Sequence, residues 1–330
     1  MTGHRPLLYI RTSEWIRGKM NSSTQPAKID LLYLVSAPYS GSTLVSFLLG
    51  SHRKIASVGE LSGPDPKIKP EAHQCSCGMP TAQCPFWHEI QQRLARKDVA
   101  FSILKQDKSW KCANNRYIHY ALTRAPGLLF LDGLQGFAAT RMWPFKKQIA
   151  EFLNTNVAVM QEITAYYGAS VFLDTSKDIG RLQLLRRSPA VDVKVLHLVR
   201  DGRGQTASRV RRSASMVEAA KSLVRFDTQA QNLKHLVGSS RYLRIRYEDI
   251  CRDPETHLGR AASFAGLEPL DFPKGFQKPD VHQLGNPMRY DFNGQIKLDE
   301  RWKTGLDNRQ LEIFYRIAGN RNRQFGYSKD

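Results

Sequence analysis

Four short runs of this chain carry apolar residues almost back to back rather than on alternate positions: Ile29–Val35 (IDLLYLV), Ser170–Leu173, Val193–Val199 (VKVLHLV) and Tyr242–Ile245. A strand with one wet face alternates apolar and polar residues, whereas a strand covered on both faces reads as a continuous apolar run. Each run leads into a turn and then a helical pattern. After the first, Leu44, Phe47 and Leu48 share one helical face, and a second helix runs to Arg187. The clearest helix is Met216–Val237, with Leu223, Phe226, Ala230, Leu233 and Val237 at steps of three and four. Asp253-Pro254 reads as an N-cap and first-turn proline of a helix whose face is Leu258, Ala261, Phe264 and Ala265, closed by Gly266. A last helix is expected over Asn308–Ala318, stopped by Gly319. Buried strands alternating with helices predict an α/β fold with a mostly parallel sheet covered by helices on both faces. Ligands of such sheets sit at the carboxyl ends of the strands.

Between Ser62 and Tyr167 this rhythm is lost. Pro64, Pro66, Pro70, a Cys-rich turn at 75–84 and Pro126 punctuate short helical pieces. The expectation is a single domain over 29–330, preceded by a basic leader over 1–28 and carrying a largely helical insertion at about 62–167 that shapes the acceptor side. With 41% apolar and 24% charged residues, the 330-residue chain is neither collagen-like, coiled-coil nor disordered. No apolar run approaches the roughly 18 residues of a membrane span.

The charge is one-sided: 49 Lys and Arg against 30 Asp and Glu give +19. Lys177–Arg212 alone holds ten basic and three acidic residues. Such a surplus implies an anionic partner. Nucleic acid is not expected, because aromatic interleaving and a helix-turn-helix pattern are both lacking. Leu7–Ile10 is too short for the apolar region of a secretory signal, and five cysteines do not suit a secreted disulfide framework. The expected location is cytoplasmic.

Two strand-to-helix turns hold the candidate chemistry. Ser36-Ala37-Pro38-Tyr39-Ser40-Gly41-Ser42-Thr43 follows the first strand and opens a helix. Backbone N–H groups in such a turn form an anion nest, the helix dipole adds positive potential, and Ser40, Ser42 and Thr43 add hydroxyls. A nucleoside-triphosphate loop places Lys after its last glycine; here Ser42 follows Gly41, which argues against a triphosphate and against a kinase. The second turn, Val199-Arg200-Asp201-Gly202-Arg203-Gly204-Gln205-Thr206-Ala207-Ser208, puts Arg200 at a strand end and Ser208 eight residues on, a guanidinium and a hydroxyl suited to a second phosphate.

Together the two motifs resemble the 5′-phosphosulfate loop and the 3′-phosphate motif of the sulfotransferases that use 3′-phosphoadenosine-5′-phosphosulfate (PAPS). Asp201-Gly202-Arg203, Val58-Gly59-Glu60 and Arg246-Tyr247-Glu248-Asp249 are most similar to the tyrosylprotein and bacterial carbohydrate-type branch. The matching motifs spread over about 31–327, and the 62–167 segment matches nothing in it. The resemblance implies a P-loop-like sheet and sulfuryl transfer from PAPS to an acceptor hydroxyl, carbohydrate or similar, on an acidic glycan or a lipid, with no metal required. It implies Glu60 as general base and Lys177, after Asp174-Thr175-Ser176, as the cation near the transferred group. Tyr39, Ser40, Gly41, Ser42, Thr43, Arg200, Ser208, Tyr247 and Lys297 are the implied cofactor-binding residues. Tyr39 stands where the family usually has Arg or Lys. Gly294-Gln295-Ile296-Lys297 with Trp302 resembles the branch's C-terminal segment, although a Trp is more often a packing residue than an adenine stack. The alternatives are a catalytically inactive binder of the bisphosphate nucleotide and a nucleotide-dependent kinase.

One cluster stands outside this scheme. Cys75, Cys77, Cys84 and His88 lie within fourteen residues. They are compatible with a four-ligand zinc site of non-standard spacing, with a local disulfide or redox pair, or with simple packing. No metal is assigned from the sequence.

Overall fold

A computed structural model of the chain describes residues 28–63, 69–105, 112, 115–142, 145–269 and 282–329. The basic leader, apart from Lys28, therefore lies outside the described residues. The elements, in chain order, are β1 (Ile29–Val35), α1 (Ser42–Gly50), β2 (Ile55–Ser57), α2 (Pro85–Ala95), α3 (Arg116–Thr123), α4 (Leu129–Arg141), α5 (Phe145–Tyr166), β3 (Val171–Asp174) and α6 (Ile179–Leu185). They continue with β4 (Val191–Val199), α7 (Gly202–Val210), α8 (Met216–Val237), β5 (Tyr242–Arg246), α9 (Tyr247–Arg252), α10 (Pro254–Ala265), α11 (Met288–Asp291), α12 (Trp302–Gly305) and α13 (Asn308–Gln324).

The five strands form one sheet in the order β2-β3-β1-β4-β5, every neighbouring pair parallel. β1 is central, with Leu32 opposite Leu173 on one side and Lys194 on the other. Its residues divide between two cores. Ile29, Leu31, Tyr33 and Val35 pack with α2, α5 and α8, while Leu32 and Leu34 pack with α1 and α10. Burying one such Leu or Val removes enough apolar surface to contribute about 1.5–3 kcal/mol. Both faces are thus covered, which is why the strands read as continuous apolar runs. A third core joins α7, α8 and α13 through Ala207, Ala220, Leu223, Phe314 and Ala318.

Two expectations need correction. The sheet has a fifth strand, β2, whose three residues are too few to show a pattern. The last helix does not stop at Gly319 but continues to Gln324. Gly319 is buried on the same face as Phe314, Ala318 and Asn322, and α13 packs along α8 there. A helical glycine costs about 1 kcal/mol relative to Ala, and that packing outweighs it.

Residues 62–167 supply α2 to α5 and, among the described residues, no strand of the sheet. Here α4 leaves Leu129, Phe130, Leu134 and Phe137 exposed. α3 rests on α6 and α4 on α5, and Arg187, just past α6, ties both down: it donates to the Leu122 carbonyl at 3.3 Å and pairs with Asp132 at 3.2 Å.

Candidate active site

All five strands run the same way, so their carboxyl ends share one edge, and the loop after each strand brings a candidate residue to it. After β1 the chain bends sharply: Tyr39 has φ 67° and Gly41 φ 90°. Gly41 is the N-cap of α1, and it needs to be glycine twice over. Besides its left-handed backbone, a Cβ there would lie 2.5 Å from the Tyr247 ring. The first turn of α1 has no side-chain cap and no acidic residue. Its N–H groups and the hydroxyls of Ser42 and Thr43 thus form a positive, anion-seeking end. Ser40 is buried; its hydroxyl donates to the Ala37 carbonyl at 2.6 Å and accepts from Gln205, so it shapes the loop from within.

The loops after β2 and β3 are bound to each other. Thr175 N–H donates to the Gly59 carbonyl at 3.0 Å, and Ser62 N–H donates to Ser176 Oγ at 2.9 Å. Asp174 braces the second loop: one oxygen accepts from Ser176 N–H at 2.8 Å and the other pairs with buried Arg181 at 3.0 Å. Arg181 in turn reaches Asn156 of α5 at 2.7 Å. The product of this bracing is Lys177, held at φ 64°, a conformation that non-glycine residues adopt at a cost. Its Nζ sits 2.6 Å from Glu60 Oε1 and 3.3 Å from Ser42 Oγ. The two residues expected to do chemistry are therefore an ion pair, and the lysine also touches the phosphate loop.

Glu60 is buried, and its backbone is backed by a segment far along the chain. Leu284 N–H donates to the Val58 carbonyl at 2.8 Å, and Glu60 N–H donates to the Leu284 carbonyl at 3.3 Å. A Cβ on Gly285 would fall 2.9 Å from Glu60 Oε1.

Arg200 leaves β4 and turns under the phosphate loop. It donates to the Tyr39 carbonyl at 2.9 Å and to the Asp299 carbonyl at 2.7 Å, and pairs with the Asp299 carboxylate at 3.1 Å. Its guanidinium carbon is 4.7 Å from the centre of the Tyr247 ring. A hydrogen bond from Arg301, with help from Arg200, holds the Asp299 carboxyl well below the usual carboxylate range despite its partial burial. Ser208 lies nearly two turns into α7 beside the same glycine that Arg200 flanks: its hydroxyl donates to the Gly204 carbonyl at 2.9 Å and accepts from Arg211 at 3.0 Å. The Tyr247 hydroxyl donates to the Lys297 carbonyl at 3.1 Å and accepts from Asp299 N–H at 3.3 Å, so this ring ties the 297–299 segment to the loop. Lys297 meets the site through its backbone, and the residue is exposed. Trp302 lies 4.0 Å from the Arg203 guanidinium carbon and packs in the third core.

Sequence reasoning did not find Asp299, the 284–285 segment or Arg212. The last places its guanidinium carbon 5.2 Å from the centre of the Tyr39 ring, so a cation stands beside the position where the family's cation is missing. The density of arginines over 200–212 was the only trace of it. His88 does not join the cysteines. Its Nε2 contacts Gln92 at 2.8 Å, and His282 takes its place.

Carbohydrate sulfotransferase 2 of Homo sapiens is 27% identical over 148 residues, which are 39% of this chain and 28% of that protein. The match thus spans little more than a quarter of that relative. Two solved structures cover nearly the whole chain at low identity. The sulfotransferase domain from the curacin biosynthetic pathway is 18% identical, covering 93% of this chain and 99% of its own, with a TM-score of 0.47. The sulfotransferase domain of the Synechococcus PCC 7002 olefin synthase is 17% identical, covering 94% and 99%, with a TM-score of 0.45. The pattern of the sulfotransferase family itself matches residues 32–271, most of the chain, and the chain belongs to that family.

Proposed function

We propose that the protein transfers the sulfuryl group of PAPS to an acceptor hydroxyl by in-line displacement. The observation that carries this reading is the position of Lys177 Nζ, between the phosphate-loop hydroxyl of Ser42 and the carboxylate of Glu60. A donor seated on the loop and an acceptor facing Glu60 would meet at that ammonium group.

The residues present fit the donor. The uncapped start of α1, with Ser42 and Thr43, suits the 5′-phosphosulfate. Arg200, Ser208 and the neighbouring Arg211 suit the 3′-phosphate, with Asp299 and Tyr247 setting the direction of the Arg200 fork. Bound donor supplies an already electrophilic sulfur. Glu60 takes the acceptor proton as the acceptor oxygen bonds to sulfur. Lys177 and the α1 N–H groups meet the negative charge that grows on the bridging oxygen as its bond to sulfur breaks, leaving adenosine 3′,5′-bisphosphate. The Glu60–Lys177 ion pair keeps both groups aimed at the same point before substrates arrive. Arg212, which lies against the Tyr39 ring, supplies the positive charge that Tyr39 itself lacks.

The acceptor is read as a carbohydrate or similar hydroxyl compound. The exposed apolar side chains of α4, in the segment expected to shape the acceptor side, favour an acceptor that also carries an apolar portion, such as a glycolipid.

Two measurements test the reading. Adenosine 3′,5′-bisphosphate is expected to raise the melting temperature more than ATP does, because only a ligand that fits the native site stabilises it. Labelled sulfate is expected to move from PAPS to hydroxyl acceptors in a screen across glycans, glycolipids and phenols. Equal shifts with both nucleotides would remove the 3′-phosphate assignment, and stabilisation without transfer to any acceptor class would select an inactive binding protein instead.

A further inference from the structure

Cys75, Cys77, Cys84 and His282 each offer a ligand atom, and these atoms all lie within 4.8 Å of one another. Three come from one turn and one from a residue almost two hundred positions later. Three of the six separations lie within about 0.3 Å of the edges of a tetrahedral metal site. Zn–S bonds of about 2.3 Å and Zn–N bonds of about 2.0–2.1 Å at tetrahedral angles require S···S edges of about 3.8 Å and S···N edges of about 3.5 Å. Here Cys77 Sγ and Cys84 Sγ are 3.8 Å apart. His282 Nδ1 lies 3.6 Å from Cys75 Sγ and 3.2 Å from Cys84 Sγ. All five cysteines are free thiols.

The backbone around the cluster is built to hold it. Cys75 N–H donates to the Met79 carbonyl at 2.9 Å, and Gly78 N–H donates to the Cys75 carbonyl at 3.0 Å, closing a tight turn that presents Cys75 and Cys77 together. Gly78 has φ 88°, the left-handed conformation such a turn needs. Cys84 is the N-cap of α2, followed by Pro85. The His282 ring is fixed by the Phe86 ring, stacked 4.6 Å away at an interplanar angle of 1°. Cys75 and Cys84 are buried and Cys77 is at the rim, a closed inner site with one exposed ligand.

We propose that these four residues bind a structural zinc ion as a Cys3His site, outside the sulfuryl-transfer machinery. Borderline-soft Zn²⁺ matches three thiolates and an imidazole, and four protein ligands leave no open position for catalysis. The ion would clip the 75–84 turn to His282, two residues before Leu284. Leu284 pairs through its backbone with Val58 and Glu60. Zinc therefore secures the backing of the Glu60 loop. The alternative, a Cys77–Cys84 disulfide, requires sulfurs at about 2.0 Å, against the 3.8 Å found here.

The test is independent of the enzymatic reading, since it measures metal and not transfer. Full-length protein purified under reducing conditions without added chelator is expected to contain one zinc ion per chain by elemental analysis. Exchange into Co²⁺ should give the intense visible absorption of tetrahedral cobalt with thiolate charge-transfer bands. Cys77→Ser, at the rim, and His282→Ala should lose zinc, while His88→Ala should keep it. Chelation of the wild-type protein should lower its melting temperature reversibly. Because a ligand variant may fail to fold, the wild-type metal content and cobalt spectrum stand as the second readout. Absence of zinc in wild-type protein from zinc-replete cells would overturn the site. So would an octahedral cobalt spectrum, iron or copper in place of zinc, a Cys77–Cys84 disulfide in peptide maps of the fresh protein, or zinc retained in His282→Ala and lost in His88→Ala.

Discussion

At the scale of single residues, the ion pair between Glu60 and Lys177 decides what can be expected. Removing the carboxylate while keeping its shape leaves the phosphate loop and Arg200 untouched. Glu60→Gln is therefore expected to keep affinity for adenosine 3′,5′-bisphosphate while turnover falls about 10²–10⁴-fold, the usual contribution of a positioned general base. Calorimetry and steady-state kinetics check the two halves separately; undiminished turnover would place the base elsewhere. Lys177→Ala differs in kind. The lysine contacts Ser42 and Glu60 in the resting site, and in the proposed reaction its stronger partner is the charge that develops in the transition state. Turnover should fall far more than bisphosphate affinity, and a variant whose losses are equal in both would make Lys177 a binding residue only. The strained φ of Lys177 adds a side effect: alanine there keeps the left-handed strain, so unfolding is measured alongside the kinetics.

At the scale of elements, the junction of β1 and α1 works because the loop, Tyr247 and Arg200 pack on one another. Gly41→Ala would set a Cβ against the Tyr247 ring, at 2.5 Å, in a backbone region that disfavours side chains by about 1–2 kcal/mol. The ring must move, and with it the 297–299 segment that orients Arg200. Loss of both thermal stability and bisphosphate affinity is expected. Gly50→Ala, at the other end of the same helix, meets nothing closer than 3.7 Å and should be neutral or slightly stabilising. Denaturant unfolding and nucleotide titration of the two variants give the comparison; equal behaviour would show that the loop tolerates a side chain. Two bonds between the loops after β2 and β3 place Glu60 and Lys177 as one unit, so the sheet edge supplies a scaffold rather than independent loops.

At the scale of the whole molecule, two buried groups in the packing around β4, β5 and α8 set opposing pH responses. Burial pushes the Asp227 carboxyl up to about 7, so the folded protein favours its neutral form. Its contribution is present below the ordinary carboxylate value and is lost as pH rises towards 7. Burial pushes the His197 imidazole down to about 3, so the folded protein holds it neutral while the unfolded chain takes up a proton below about 6.5. Its contribution is lost as pH falls from there. Between about pH 4 and 6.5 the two slopes, each about 1.4 kcal/mol per pH unit, cancel. Asp227→Asn removes one of them. It is expected to raise stability at pH 8 by a few kcal/mol, and to leave a profile that climbs from pH 4 to 6.5 where the wild type is level. Parallel profiles for the two proteins would show that Asp227 is ionised in the folded state. No helix among the described residues is long and apolar enough to cross a membrane.

Much of the architecture could be read in the order of residues, because burial on both faces and helical periodicity are local signatures. The four longer strands, α1, α8 and α10, and the two strand-to-helix turns each lie within a window of about twenty residues whose physics needs no distant partner. β2 and the run of α13 through Gly319 escaped, since three residues hold no period and a glycine's preference yields to packing that only the third core supplies. The site followed the same division. Gly41, Ser42 and Arg200 were visible because strand end, loop and helix start are contiguous. The pairing of Lys177 with Glu60, the closing of Arg200 on Asp299, and the approach of Arg212 to Tyr39 were not, because each joins residues brought together by a parallel sheet whose crossovers are long. The cysteines show it most plainly. Three of the four ligand atoms could be named from spacing, but His88, the histidine grouped with them, faces a glutamine, and the histidine that completes the tetrahedron arrives only when the chain has folded back on the Glu60 loop.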